Sequence, residues 1–268
     1  MEIRILMVYK IIVLFVLCLI CCKKSNAQSD SEAITIATWN IGHFSMGHRD
    51  YSLIKASEYD ARVKEYRDFL YNKLKVDILC VNEFESEFCL DSIKGCAITE
   101  DVLFDSYRIQ RVLKKNRYVC NAIFSNVDLK NVRKKKFEFD PALKNIKSIA
   151  WFYFVTTDVL IDGEPVKLVC THLINRHEDE CRRQMDQLIE ELKPYKRVVI
   201  CGDLNSSDWS KFKNAGYVLA NAGSTVTFPR RNCALDNIIV KGLKILEVRV
   251  IKNKLSDHYP VVCRVSIK

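Results

Sequence analysis

Residues 197–205 read Arg197-Val-Val-Ile-Cys-Gly-Asp-Leu-Asn205. Arg197 to Cys201, apolar after its first residue and rich in β-branched residues, predicts a short buried strand. The run stops at Gly202 and delivers two polar side chains, Asp203 and Asn205. If the chain stays extended there, residues two apart point the same way. A carboxylate able to hold a water then sits beside an amide able to donate to an anion. A buried strand ending abruptly in an acid and an amide implies a packed sheet with a polar rim.

The same arrangement recurs along the chain. Ile34 to Trp39 predicts a strand that ends at Asn40, and Asp77 to Val81 one that leads to Glu83. Pro165 to Thr171 leads to His172, Asp236 opens an apolar run, and Asp257-His258 precedes Tyr-Pro-Val-Val262. Further strands are expected at 106–113, 118–124 and 148–161, the last joined to its successor by Asp162-Gly163, a hairpin signal. The tail predicts three more, near 234–240, 244–251 and 259–267. Helices are expected at 57–75, where Tyr59, Val63, Tyr66, Leu70 and Leu74 share a face, and at 178–192, with Cys181, Met185, Leu188 and Leu192 on one stripe. Hairpins mixed with helical crossovers argue for mixed sheets. The economical arrangement is α/β: two mixed sheets packed face to face, with helices outside.

Of 268 residues, 49% are apolar and 28% charged, enough for one large core and too ordered a composition for a disordered chain. Ile11 to Cys22 is an unbroken apolar stretch behind Arg4 and Lys10. It is short for a membrane span and suits the core of an export signal. Small residues at Ser25 and Ala27 predict a signal peptide over 1–27 with Gln28 as the new N-terminus. Lipidation at Cys21 or Cys22 is the second reading and an uncleaved anchor the third. All three place the protein outside the cytoplasm: periplasmic, secreted, or lipid-anchored on the outer face of a bacterial membrane. Residues 28–33 read as a linker and 34–268 as one domain. The net charge of +9 favours anionic partners without identifying them. Nine cysteines follow the signal, an odd number, so they cannot all pair within one chain. No Cys-x-x-Cys pair points to structural zinc.

The rim residues are oxygen donors and imidazoles. Glu83, Asn40 and Asp257 suit a hard divalent cation, which takes carboxylate and amide oxygens and keeps some water. Asp236 is a carboxylate fit to fix the tautomer of His258 and favour its charged form. Each alone is ordinary, since an Asn after a strand is usually a turn residue and a His there usually structural. The ordered set is not.

That set resembles the endonuclease/exonuclease/phosphatase superfamily, the deoxyribonuclease-I-like fold, over residues 34–268. The matches are Thr38-Trp39-Asn40, Asn82-Glu83, Tyr118-x-x-Asn121-Ala122-Ile123-x-Ser125, Thr171-His172, Gly202-Asp203-x-Asn205, Leu235-Asp236-x-Ile238 and Ser256-Asp257-His258-x-Pro260. Arg182 and Gln184 match the family's habit, and Thr227-Phe228-Pro229 resembles a segment of its small bacterial members. The resemblance implies a four-layer α/β sandwich and Mg²⁺ as cofactor, with Mn²⁺ able to substitute. It implies Glu83 as principal metal ligand, aided by Asn40 and Asp257. Asp203 would orient or deprotonate the attacking water and Asn205 position the phosphate. Asp236 and His258 would form a dyad on the scissile phosphate, with His172 near the leaving oxygen. Asn121, Arg117 and Tyr118 become phosphate or substrate contacts. Three departures stand out. Asn82 replaces a frequent Gln, Cys120 a frequent Gly and Asn237 a frequent Tyr.

The expected substrate is a phosphoester, in nucleic acid, in a phospholipid or in a small molecule, acted on by a monomer with no obligate protein partner evident. A secreted nuclease or phosphodiesterase is the leading reading, with a sphingomyelinase-like or sugar-phosphate hydrolase as alternative. An inactive binding module is disfavoured because every catalytic position is filled. A calcineurin-like phosphatase is disfavoured because no Gly-Asn-His motif exists. Lys130 to Lys136 carries five basic residues. It reads either as a phosphate contact or as a solvated loop.

Overall fold

A computed structural model describes residues 33–42, 61, 64–85, 95–98, 119–143, 153–223 and 225–267. The expected export signal and most of the linker, the strand at 106–113, the start of the first helix, Arg117 and Tyr118 lie outside the described residues. One compact unit runs from Ala33 to Lys268.

Two six-stranded mixed sheets make up the body. The first contains β1 (Ile34–Asn40), β2 (Ile78–Glu85), β3 (Gly95–Ile98), β4 (Val119–Ser125), β11 (Leu243–Val250) and β12 (Val261–Ile267), ordered β11-β12-β1-β2-β4-β3. The second contains β5 (Lys130–Lys136), β6 (Tyr153–Ile161), β7 (Glu164–His172), β8 (Val198–Asp203), β9 (Val218–Leu219) and β10 (Asp236–Lys241), ordered β5-β6-β7-β8-β10-β9. The β6–β7 hairpin turns at Asp162-Gly163, both at positive φ (51° and 74°), as a tight two-residue turn requires. This is the expected α/β sandwich.

Strand alternation explains both the core and the rim. Ile36, Ile78, Cys80, Leu168, Cys170, Val199, Cys201, Ile238, Val240 and Cys263 are buried together in one apolar cluster contributed by both sheets. Alternate residues of a strand share a face. Thr38 and Asn40 therefore continue the face of Ile36, and Asn82 that of Cys80. His172 continues the face of Cys170, Asp203 that of Cys201, and Asp236 that of Ile238. The apolar ladder between the sheets ends, strand by strand, in polar side chains.

The outer face of the second sheet is covered by α1 (Glu178–Leu192), whose Cys181, Met185, Leu188 and Leu192 are buried against Val169, Val198 and Ile200. The short α2 (Ser210–Asn214) buries Phe212 in the same cluster. The first sheet is covered by the helical segment ending at Phe69–Leu74. Its last turn is π-helical, so Phe69 joins the expected Tyr66 and Leu74 in the buried set. Leu70 packs against the same cluster, so the expected Tyr66, Leu70 and Leu74 stripe is kept and the π turn adds Phe69 to it.

One expectation is corrected outright. Lys130 to Lys136 is not a solvated loop but β5, the edge strand of the second sheet, paired antiparallel with β6. Lysines on an edge discourage pairing with another chain, so charge hides a strand that apolar periodicity cannot reveal. Strands β3 and β9 and helix α2 are short and were not expected either.

Candidate active site

Register brings the second-sheet residues together. His172 on β7 pairs with Asp203 on β8, and Asp236 on β10 pairs with the same Asp203. In the first sheet Asn40 on β1 pairs with Asn82 on β2. Glu83 follows Asn82 and should face the opposite way, but the β2–β4 register shifts between Val81 and Phe84. Glu83 itself is left-handed at φ 51°. A bulge of this kind re-aims a side chain. It brings Glu83 Oε1 to 3.2 Å from Asn40 Nδ2.

Asn40 joins the two sheets, since its Nδ2 also donates to Asp203 Oδ2 at 3.0 Å, while Oδ1 accepts from the Gly42 backbone N–H. His172 Nε2 lies 3.5 Å from Asp203 Oδ2, and His258 Nε2 lies 3.8 Å from the same oxygen. Asp203, His172, Asp236 and His258 are all buried, whereas Glu83 is half-buried.

His258 Nδ1 is 2.8 Å from Asp236 Oδ2. Burial alone would depress the imidazole, but the carboxylates of Asp236, Asp203 and Asp257 outweigh it and lift its pKa to about 10. Burial pushes the Asp236 carboxyl up; the imidazolium beside it opposes that rise and Asp203 adds to it. At neutral pH the ring is therefore a cation with Nδ1–H directed at Asp236, leaving Nε2–H as a donor on the Asp203 side. The dyad is fixed by its surroundings. Trp39 Nε1 donates to the His258 carbonyl, and Ser256 Oγ accepts from the His258 N–H while donating to the Asn40 carbonyl. Phe228 packs on the imidazole with ring centroids 4.6 Å apart. Thr227 Oγ1 accepts from the Leu235 and Asp236 N–H groups.

Several placements differ from the sequence expectation. Asn205 is not extended: its φ is 48°, its N–H donates to Asp203 Oδ1, and its Nδ2 donates to the Leu173 carbonyl. The left-handed turn, not strand alternation, sets it beside Asp203. Asn121 is fully buried, accepting from Asn82 Nδ2 at 2.7 Å and donating to the Tyr153 carbonyl. In that position it supports Asn82. Asp257 Oδ2 is engaged by the Arg230 guanidinium at 2.9 Å, beside the cluster and not inside it.

Asn82 carries more than its sequence signal suggested. Its Oδ1 accepts from the Asp203 N–H at 2.8 Å, and its Nδ2 also donates to the Thr171 carbonyl at 2.9 Å. One buried amide thus locks β2 to β7 and β8. Gly202 completes the lock, since a Cβ there would stand 1.8 Å from the Thr171 carbonyl oxygen.

Comparison with known proteins agrees with this fold. The pattern of the Endonuclease/Exonuclease/phosphatase family matches residues 37–258. No curated protein sequence is significantly similar. Among solved structures, an endonuclease/exonuclease/phosphatase from Bacteroides vulgatus has a TM-score of 0.62 at 15% identity, covering 88% of this chain and 99% of the other. The human Nocturnin catalytic domain with bound sulfate has a TM-score of 0.60 at 18% identity, covering 88% and 95%. D. rerio TDP2 complexed with a single-strand DNA product has a TM-score of 0.53 at 14% identity, covering 87% and 99%.

Proposed function

Given that the chain belongs to the endonuclease/exonuclease/phosphatase family and is a phosphoester hydrolase, we propose that it is an exported, Mg²⁺-dependent phosphodiesterase acting on nucleic acid. The observation that carries this reading is the convergence on Asp203 Oδ2 of Asn40, His172 and the charged His258–Asp236 dyad.

Two groupings compete for the cation. Asp203, Asp236 and His258 offer ligand atoms within 4.8 Å of one another. That grouping fits Mg²⁺ poorly, because His258 Nδ1 is committed to Asp236 and Mg²⁺ takes oxygen ligands in preference to imidazole nitrogen. Glu83 fits better, since carboxylate oxygens suit Mg²⁺ and its half-buried position leaves room for retained water; Asn40, whose Nδ2 faces Glu83 and whose Oδ1 accepts from Gly42, would have to turn its amide to offer the oxygen. Asp257 would join them on release from Arg230. A cation held there would supply charge neutralisation at a phosphate oxygen, lowering the cost of the added negative charge in the transition state.

The remaining roles follow from the chain. Asp203, backed by Asn40 and the Asn82 cross-link, holds the attacking water and takes its proton. His258 presents Nε2–H to a non-bridging phosphate oxygen, with Asp236 fixing the ring's orientation and charge. His172 stands on the other side of Asp203, placed to donate to the leaving oxygen.

The edge strand supports nucleic acid over lipid. Lys135 pairs with Glu191 of α1, so by alternation Lys134 and Lys136 face away from the helix layer. Lys136 pairs with Tyr153, next to the Phe154–Thr171 pair at the catalytic end of β7. Strands lie about 4.8 Å apart, so Lys136 stands roughly 10 Å from the rim, within reach of a phosphate further along a strand. Export is supported by the apolar run Ile11 to Cys22.

The test is a hydrolysis panel of supercoiled DNA, single-stranded DNA, RNA, sphingomyelin, an inositol phosphate and an aryl diester, each with Mg²⁺ and with excess chelator. The reading expects metal-dependent turnover of nucleic acid. Preference for sphingomyelin or the inositol phosphate would transfer the assignment to the lipid or small-molecule branch, and full activity in chelator would sink metal dependence. Mass spectrometry of the native protein should give Gln28, or a lipidated Cys21 or Cys22, as the first residue.

A further inference from the structure

A cavity of about 460 Å³ opens beside the rim at Asn205 and runs between the loop after β7, the loop after β8 and the loop before β10. Its volume lies in the usual range of small-molecule sites, roughly 300–1,000 Å³. Ile174, Cys181 and Leu235, all buried, give it an apolar floor. Four charged side chains stand at its wall: Arg176, Arg231, Glu178 and Asp208.

These charges are not equivalent. Arg182 bridges the two acids, with NH2 2.8 Å from Glu178 Oε1 and 3.3 Å from Asp208 Oδ2. Glu178 and Asp208 are thereby engaged with a guanidinium outside the cavity lining. Arg176 and Arg231 form no ion pair among the described residues; Arg231 only lies over the Phe228 ring at 5.9 Å. With Arg182 included, three guanidinium groups face two carboxylates, so the wall keeps a net charge of +1, and the exposed Arg176 and Arg231 stand outside any ion pair among the described residues. Asn205, part of the rim, forms its inner end.

We propose that this cavity is a specificity site for a second phosphate, carried on the nucleoside-sized unit next to the scissile phosphate. The inference rests on hydrolysis at the Asp203–His258 rim, and it adds which substrates that rim receives. Guanidinium groups match phosphate oxygens in pairs, better than an ammonium does. The apolar floor suits a sugar or base between the two phosphates. The source of that unit is either the neighbouring nucleotide of a strand or a free nucleoside bisphosphate.

The experiment compares wild type with Arg176→Gln/Arg231→Gln. One arm measures kcat/KM on the dinucleotide d(TpT) and on forms bearing a terminal 3′ or 5′ phosphate. The other measures binding of thymidine 3′,5′-bisphosphate by calorimetry. For wild type, one of the terminal phosphates should raise kcat/KM about tenfold or more, mainly through KM, as one or two charge-assisted hydrogen bonds would. In the double variant that ratio should fall to within about twofold of unity. The bisphosphate should bind wild type about tenfold tighter than the variant. A gain confined to the dinucleotides assigns the site to a strand; binding confined to the bisphosphate assigns it to a free nucleotide. Equal ratios in both proteins, together with equal bisphosphate binding, overturn the proposal. If no dinucleotide is cleaved by either protein, the hydrolytic reading is what fails, and the binding arm alone decides the cavity.

Discussion

The two halves of the rim are built differently. The half from the second sheet, with His172, Asp203 and Asp236, is buried and locked: register aligns the three, Asn82 and Thr227 hold their backbone, and Gly202 permits the close approach to Thr171. From the first sheet Asn40 and, ahead of β12, His258 are buried too, but the carboxylate edge formed by Glu83 and Asp257 is half-exposed. It is shaped by a bulge at Glu83 and an ion pair from Asp257 to Arg230. A group that moves a proton must be held within tenths of an ångström, and burial among fixed hydrogen-bond partners provides that. A group that binds a hydrated cation must exchange partners with water, which burial would prevent. Variants should therefore behave differently on the two sides.

The largest effect is expected on the locked side at Gly202. Gly202→Ala forces a methyl against the Thr171 carbonyl between two paired strands, where neither backbone can yield. It should lower stability by at least ~3 kcal/mol in denaturant titration and abolish hydrolysis. A stable, active Gly202→Ala protein would mean that the β7–β8 junction is far looser than described.

The next effect is a pH dependence. The folded pKa of His258 is raised to about 10 from an ordinary value near 6.5, through Asp236, Asp203 and Asp257 against the opposing effect of burial. The imidazolium's contribution to stability is therefore complete below about pH 6.5 and fades as pH rises through about 10. In chelator, the stability advantage of wild type over His258→Gln should shrink between those limits. An advantage that grows with pH would show that the ring is neutral in the fold.

The smallest effect is expected on the exchangeable side. Arg230 competes for Asp257, so Arg230→Gln should tighten Mg²⁺ binding by roughly two- to fivefold, the size of a partly exposed ion pair. Weaker binding would make Arg230 a support for the cation site and not a competitor.

The same contrast explains what was legible in the sequence. The locked half follows from strand alternation, so Cys170-Thr171-His172 and Cys201-Gly202-Asp203 announce it as an apolar ladder ending in polar groups. The exchangeable half depends on local departures from regularity. No pattern of side chains announces the bulge that turns Glu83 round, nor the left-handed turn that sets Asn205. The place of Asn121 was not legible either, because a motif match carries no burial, and in the fold that amide stands behind Asn82. Strand β5 was hidden because five of its seven residues are Lys or Arg, the opposite of the apolar signal by which the other strands were found. The cavity at Arg176 and Arg231 unites three loops distant in sequence, which only the fold brings together.

The central claim divides the labour between Glu83, which holds the cation, and Asp203, which acts on water. The direct test is Mg²⁺ titration by calorimetry and aryl-diester turnover on Glu83→Gln and Asp203→Asn side by side. The account predicts that Asp203→Asn keeps Mg²⁺ affinity within about threefold of wild type while kcat falls by roughly 10²-fold or more. Glu83→Gln should lose measurable Mg²⁺ binding and recover part of its activity at high metal concentration. Loss of Mg²⁺ binding in Asp203→Asn, with binding intact in Glu83→Gln, would contradict it.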